Sequence, residues 1–293
     1  MTTPITINRS QFWFTVGLSV ILLVSNAINY RREQQAIGQA GIVGQSTFNA
    51  EVVWEQLNLE ARGAAVYDLA SQKFLFSHHD NQQLPIASLT KLMTAVTAEA
   101  NLPSTTAINF LNRQWQPEEL IGYMLVSSSN EAAEALAATL EKHTGRSAKD
   151  LMNEQAMRLG LNSTYFLNAT GLDIDHNQPG ALSSANDMVK LLVYLLEDKP
   201  NLAAASREPL AGFQTLDDKQ VWTENTNPLT RVRSDLLLSK TGLTTTANGN
   251  LAIAFDRGLN QPVIAVIIGS SRAGRFSDME KLIAATEQYY LSF

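Results

Sequence analysis

The sequence has 293 residues, of which 45% are hydrophobic and 17% are charged, and its formal net charge is −6. The length suits one large domain or two modest ones, and the negative charge leaves no basic stripe for a nucleic-acid partner. The absence of cysteine excludes disulfides, thiolate nucleophiles and zinc–sulfur sites. The four histidines form no metal-ligand pattern, so we expect neither a catalytic metal nor a cofactor.

The N-terminus carries the longest apolar run of the sequence, at residues 12–28, with Arg9 before it and two arginines after it. Because the run is apolar on all sides, it favours a membrane segment over a buried core helix. It is either a signal peptide cut after Ala27 or an uncleaved signal-anchor, and we favour the anchor. We therefore assign residues 1–32 to a membrane anchor or signal segment, with the domain held at the extracytoplasmic face of the membrane.

Residues 33–60 are rich in Gln, Gly and Ala and show little periodicity, so we expect a tether there. Residues 61–293 are predicted to form one domain. Strands are predicted at its two ends, at residues 64–69, 73–77, 236–240, 250–256 and 262–269. Helices are predicted between and after them, at residues 88–100, 117–125, 130–143, 149–159, 186–197 and 277–289. The distant strands would pair in one antiparallel sheet with helices packed on it, which is an α+β fold.

Ser88 and Lys91 form an SxxK motif at the start of a predicted helix. Residues three apart share a helix face, so the lysine lies beside the hydroxyl. A serine hydroxyl becomes a good nucleophile only when a base removes its proton, and a lysine can do so when burial or nearby positive charge destabilises its ammonium form. In isolation the motif is also compatible with a helix cap and a surface lysine.

A second motif, SxN, is formed by Ser128 and Asn130 between two predicted helices. A hydroxyl there can pass a proton between a base and a leaving group, and the amide can hold a substrate carbonyl. The plainer interpretation is a helix N-cap. The same pattern recurs at Ser184-Ala185-Asn186, where we expect only a cap.

The third motif is Lys240-Thr241-Gly242, at the end of a predicted apolar strand. A lysine and a hydroxyl on an edge strand can bind a substrate carboxylate. A glycine there would let the substrate backbone approach closely. The plainer interpretation is a strand end with a turn glycine.

The order SxxK, SxN, KTG is the motif set of penicillin-binding proteins and class A β-lactamases. The surrounding sequence resembles the S11 family of serine peptidases, the D-alanyl-D-alanine carboxypeptidases, over about residues 61–275. The resemblance is carried by the nucleophile segment PIASLTKLMTA at 85–95, and by Leu159-Gly160-Leu161, Thr164, Phe166, Asn168 and Thr170-Gly171-Leu172.

This resemblance implies the serine β-lactamase/DD-peptidase transpeptidase-like fold, an antiparallel sheet flanked by helices with an all-helical insert. It also implies that Ser88 attacks the carbonyl between the terminal D-alanines of a peptidoglycan stem peptide. Lys91 would take the proton of Ser88, and Ser128 would help to pass a proton to the departing D-alanine. β-Lactam antibiotics would trap Ser88 covalently.

The remaining roles are likewise implied by the resemblance. Asn130 would position the substrate, and Lys240 and Thr241 would recognise its carboxylate. The oxyanion would lie between the backbone N–H groups of Ser88 and Leu243.

Two positions depart from the family pattern. Leu243 stands where a ring residue is common, and Asn186 stands where an arginine is common. Many carboxypeptidases carry a further C-terminal domain, and the short form here also resembles the D-alanyl-D-alanine endopeptidases of the family, which cut cross-links.

Two other classes remain as alternatives. A β-lactamase would need a deacylating Glu with an Asn four residues on, but Glu208 is followed at that spacing by Gly212. A non-catalytic binding module would not need the three motifs intact.

Overall fold

The computed structural model describes residues 52–292, and the predicted anchor at residues 1–32 lies outside them. Its strands are β1 (Gly63–Asp68), β2 (Lys73–His78), β3 (Leu84–Pro85), β4 (Ile108–Phe110), β5 (Arg113–Trp115), β6 (Tyr165–Phe166), β7 (Ala181–Ser183), β8 (Leu210–Gln214), β9 (Gln220–Glu224), β10 (Leu236–Thr244), β11 (Asn248–Asp256) and β12 (Pro262–Ser270). Its α-helices are α1 (Val52–Glu55), α2 (Thr90–Asn101), α3 (Pro117–Ser127), α4 (Asn130–Thr144), α5 (Ala148–Arg158), α6 (Ala185–Asp198), α7 (Pro200–Ala204) and α8 (Gly274–Tyr290). None of the helices between residues 52 and 292 is long and apolar enough to cross a membrane.

The main sheet is antiparallel and has the strand order β10-β11-β12-β1-β2. Strands from the two ends of the domain meet where β1 pairs with β12, with Gly63 opposite Ile268. Strand β10 lies at one edge of the sheet. The predicted α+β architecture is therefore confirmed, including the pairing of strands that are distant in sequence.

Strand β12 explains how the sheet is covered on both faces. Its residues from Val263 to Ile268 are fully buried, and successive side chains point to opposite faces. Ile264 and Val266 belong to one apolar cluster with residues of α2, α3 and α6, whereas Val263 and Ala265 belong to a second cluster with residues of α8. The sheet is thus sandwiched between α8 and the helical part of the domain.

Helix α2 runs through the middle of the helical part and contacts α3, α4 and α5. Every residue from Thr90 to Ala98 is buried, so the helix has no solvent-exposed face over this stretch. This position places Lys91, one residue into the helix, inside the protein.

We expected a tether at residues 33–60 and the domain from residue 61. Residues 33–51 lie outside the described residues, but residues 52–60 already pack on the domain. The ring of Trp54 stacks on Phe76 with 5.5 Å between ring centroids. The backbone N–H groups of Glu60 and Ala61 both donate to the buried carboxylate of Asp278, each at 3.0 Å. Residues 52–61 are therefore held against α8 and the sheet.

Candidate active site

Ser88 lies in a 3-10 turn, Ala87–Leu89, immediately before α2. We expected the α-helix to begin at Ser88. Instead Ala87 has a positive φ of 48°, which is costly for a residue with a side chain, and the chain enters the helix through a tighter turn. The SxxK spacing still brings the side chains together, because Lys91 Nζ is 3.0 Å from Ser88 Oγ.

Lys91 is fully buried and has three oxygen neighbours. Its Nζ lies 2.7 Å from Asn130 Oδ1 and 2.7 Å from the carbonyl oxygen of Thr170, in addition to Ser88 Oγ. A neutral amine has two N–H donors and one lone pair, so donation to Asn130 and Thr170 leaves the lone pair facing the serine hydroxyl.

Burial lowers the pKa of Lys91 to about 7, against the opposing effect of the negative charges of Glu131 and Glu134. Burial dominates because an ammonium ion loses its hydration inside the protein. A substantial fraction of Lys91 is therefore a neutral amine at neutral pH, the protonation state that a general base requires.

The three residues of the SxN triplet have two roles: one caps a helix, and the other two contact the lysines of the candidate active site. Ser129 is the N-cap of α4, with its hydroxyl accepting from the Ala132 N–H at 3.0 Å. Ser128, between α3 and α4, has a left-handed conformation with φ 57°. This conformation turns the chain sharply, so that Ser128 and Asn130 both reach the site. The second SxN sequence is a plain cap as predicted, since Ser184 accepts from the Asp187 N–H.

Lys240 joins the SxN turn to the edge strand. Its Nζ is 2.7 Å from Ser128 Oγ and 3.1 Å from the carbonyl oxygen of Thr241, and the residue is only 1% exposed. Burial, the charge of Lys91 and the charge of Arg275 all lower the pKa of Lys240. Each of the two buried lysines thus contacts one serine, Lys91 contacting Ser88 and Lys240 contacting Ser128, and the two lysines are close enough for the charge of Lys91 to act on Lys240.

Strand β10 carries the KTG motif in its middle rather than at its end, since it continues to Thr244. We expected Gly242 to allow close approach of a substrate. The structure shows a different reason for a glycine at this position, because a Cβ there would lie 2.8 Å from the carbonyl oxygen of Ile86. Glycine therefore lets β10 pack directly against the segment that carries Ser88. The Gly242 carbonyl accepts from Arg275 Nη1 at 2.6 Å, and Leu243 follows in the same strand.

A loop that sequence reasoning linked only to the family resemblance completes the site. Asn168 Oδ1 accepts from the N–H of Thr170 at 3.1 Å, the hydroxyl of Thr170 at 3.0 Å and the N–H of Gly171 at 2.7 Å. Asn168 Nδ2 donates to the carbonyl of Leu172 at 2.9 Å. These bonds fix the loop whose Thr170 carbonyl contacts Lys91.

Thr226 is a further residue that the motifs did not indicate. Its hydroxyl lies 2.6 Å from the hydroxyl of Thr241, at the exposed rim of the cleft. It follows β9 and belongs to none of the three motifs, so spacing alone offered no signal. Residues 52–292 contain no group of three His, Asp or Glu side chains that could hold a metal.

Comparisons with known proteins identify the family of the chain. The sequence profile of the family described as D-alanyl-D-alanine carboxypeptidase, the S11 peptidases, matches residues 50–106 and 97–272. The chain belongs to this family. The predicted family, fold and enzyme class, a serine-type D-alanyl-D-alanine carboxypeptidase, are thereby confirmed, and the family acts on peptidoglycan in the cell envelope.

The relatives of the chain include proteins named for each of the two activities, cross-link cleavage and removal of the terminal D-alanine. A D-alanyl-D-alanine endopeptidase of Escherichia coli K12 is 30% identical over 250 residues, which are 78% of this chain and 77% of that protein. The D-alanyl-D-alanine carboxypeptidase DacC of the same organism is 29% identical over 269 residues, which are 81% of this chain but 64% of that protein.

Among solved structures, penicillin-binding protein D2 from Listeria monocytogenes, in its ampicillin-bound form, resembles this S11 member. It is 30% identical, with a TM-score of 0.67, over 78% of this chain and 98% of the other.

Proposed function

We propose that this protein removes the terminal D-alanine of peptidoglycan stem peptides through an acyl-enzyme on Ser88. The observation that carries the proposal is the contact of Ser88 Oγ with Lys91 Nζ at 3.0 Å, with the lysine's two other oxygen neighbours supplied by Asn130 and Thr170. Neutral Lys91 takes the proton of Ser88 as Oγ attacks the carbonyl carbon.

The other side of the cleft handles the leaving group. Ser128 relays the proton that Lys91 took from Ser88 to the departing D-alanine nitrogen, and the Ser128 hydroxyl lies 2.7 Å from Lys240 Nζ. Lys240 and Thr241 bind the terminal carboxylate, and Asn130 positions the substrate. The backbone N–H groups of Ser88 and Leu243 stabilise the oxyanion. Water then hydrolyses the acyl-enzyme, and a β-lactam forms the same bond to Ser88.

Labelling with a fluorescent penicillin tests the site. We expect Ser88→Ala to lose the label completely, and mass spectrometry of the labelled wild type to find the adduct on Ser88. Ser128→Ala should label at least about tenfold more slowly, because it removes a hydroxyl that moves protons. The matched control is Ser184→Ala in the second SxN sequence, which should label at the wild-type rate. A labelled Ser88→Ala protein would overturn the assignment.

Cross-link cleavage is the second candidate activity. It is favoured by the relative named an endopeptidase, which this chain matches over 77% of its length, compared with 64% for the carboxypeptidase DacC. Digestion of purified cross-linked muropeptides separates the two. Release of free D-alanine from pentapeptides supports the proposal, whereas loss of dimers without free D-alanine contradicts it.

We also propose that residues 12–28 anchor the protein at the extracytoplasmic face of the cytoplasmic membrane. The support is the apolar character of this run. Mass spectrometry of protein purified from membranes should find the intact N-terminus. A chain that begins after Ala27 would instead identify a cleaved signal peptide.

A further inference from the structure

The hairpin of β8 and β9 is fixed to the helical part of the domain by one face only. On that inner face, Phe213 packs edge-on against Tyr123 with 6.2 Å between ring centroids, and it contacts Gly122, where any Cβ would lie 2.4 Å from the ring. The N–H of Gln214 donates to the Glu119 carboxylate at 2.7 Å. The inner face thus fixes the hairpin on α3.

The outer face presents a tryptophan to solvent. Trp222 is 59% exposed and lies directly opposite Gly212 in the register of the hairpin. The three atoms nearest to the Cβ position of Gly212 all belong to the indole, at 3.0 to 3.1 Å. The ring therefore covers the bare glycine backbone and leaves its other face open.

Polar and apolar side chains flank this ring on the same face. Gln214 and Gln220 form the next pair along the hairpin toward its turn. The pair on the other side of the ring is the exposed Leu210 with Glu224, whose carboxylate lies 2.7 Å from Arg231 Nη2. An open aromatic face accepts the apolar C–H side of a pyranose ring, and amide and carboxylate groups around it can bond to the sugar hydroxyls.

The hairpin leads directly to the leaving-group end of the cleft. The chain continues from Trp222 past the end of β9 at Glu224 to Thr226, whose hydroxyl is 2.6 Å from that of Thr241. Four residues of extended chain span at most about 14 Å. A stem peptide of about four residues spans roughly the same distance, so a sugar attached to its far end can reach the indole.

We propose that the outer face of the β8–β9 hairpin binds saccharide, with Trp222 stacking on a sugar ring of the glycan strand that lies on the leaving-group side of a cross-linked substrate. This rests on the acyl-enzyme site proposed above, acting on a cross-linked substrate. A released D-alanine ends near Thr241, whereas the leaving group of a cross-linked substrate continues toward the hairpin to a second stem peptide and its glycan.

The test separates saccharide binding from chemistry. Full-length protein is titrated with a peptide-free oligomer of β-1,4-linked N-acetylglucosamine while tryptophan fluorescence is recorded. Sedimentation of the Ser88→Ala protein with insoluble peptidoglycan is measured in parallel, since this variant does not digest it. We expect the oligomer to change the fluorescence of wild type but not of Trp222→Ala. Adding Trp222→Ala to the Ser88→Ala protein should weaken sedimentation about fivefold to tenfold.

Controls keep the outcomes distinct. Trp222→Tyr retains a ring and should retain part of the affinity, and Val232→Ala removes another exposed apolar side chain (78% exposed) and should bind as wild type. Trp222→Ala should react with penicillin at the wild-type rate, which also verifies its fold. Equal sedimentation with and without Trp222 overturns the inference. A wild-type protein that does not react with penicillin would instead overturn the proposed function.

Discussion

At the scale of single residues, the buried amine of Lys91 determines how the reaction depends on pH. Because burial lowers the pKa of Lys91 to about 7, the amine is neutral above that pH and protonated below it. We expect the rate of penicillin acylation to rise about tenfold per pH unit up to pH ~7 and then to level off. Stopped-flow acylation between about pH 5 and 9 measures this profile.

Glu134 provides a matched variant for the same profile. Its negative charge raises the pKa of Lys91, so Glu134→Gln should move the rise to lower pH. Glu280→Gln, at an exposed position of helix α8 whose charge does not act on Lys91, should leave the profile unchanged. A rate that is independent of pH across this range would show that another group is the base.

The sequence motifs predicted the site residues that act through their side chains, but not those that act through the backbone. Ser88, Lys91 and Lys240 were predicted from the motifs. The structure places Lys91 in contact with Ser88 and close enough to Lys240 for its charge to lower the pKa of Lys240. The carbonyl of Thr170 was not predicted to contact Lys91, because any residue carries a carbonyl and only the backbone conformation aims it. Thr226 was missed because it belongs to no motif, and only the fold places its hydroxyl beside that of Thr241.

At the scale of elements, the loop after Asn168 is held by its close approach to the nucleophile turn. Gly171 has φ +78°, and a Cβ there would lie 1.9 Å from the Ala87 carbonyl oxygen. We expect Gly171→Ala to cost at least about 3 kcal/mol in the free energy of unfolding and to slow acylation, since the Thr170 carbonyl must shift. Urea unfolding and penicillin labelling measure the two effects.

Gly160 supplies the matched control for backbone strain alone. It has φ +66°, but its Cβ position has no atom within 4 Å. Gly160→Ala should cost about 1–2 kcal/mol and leave acylation unchanged. Equal losses of stability in the two variants would mean that the contact with Ala87 contributes nothing.

Long elements with clear periodicity were predicted closely, and short or polar ones were not. The predicted helix at residues 186–197 is α6, and its N-cap is Ser184. Strands β3 and β6 have only two residues each, too few for a pattern. Strand β10 continues to Thr244, past its predicted end at residue 240. The prediction stopped early because Thr241, Gly242 and Thr244 give no apolar pattern.

At the scale of the whole molecule, Asp278 ties the beginning of the domain to its last helix. Its carboxylate is fully buried and accepts from the N–H groups of Glu60 and Ala61 and from the hydroxyl of Ser270 at 2.8 Å. Asp278→Ala leaves these donors without partners and should cost about 2–4 kcal/mol. Urea unfolding of the full chain measures this loss.

Exposed Glu280 lies on the same helix and provides the comparison. Glu280→Ala should change the free energy of unfolding by less than about 0.5 kcal/mol. If Asp278→Ala were equally mild, residues 52–61 would not be an integral part of the domain.

The position of β1 between β12 and β2 has a consequence for how the chain reaches its structure. Strand β1, at residues 63–68, is synthesised long before its partner β12, at residues 262–270. Contacts between such distant segments form slowly, because a long loop must close before they contribute. A growing chain therefore carries β1 with one neighbour missing until residues 262–270 have emerged. During this interval the apolar edge of β1 is open to other chains.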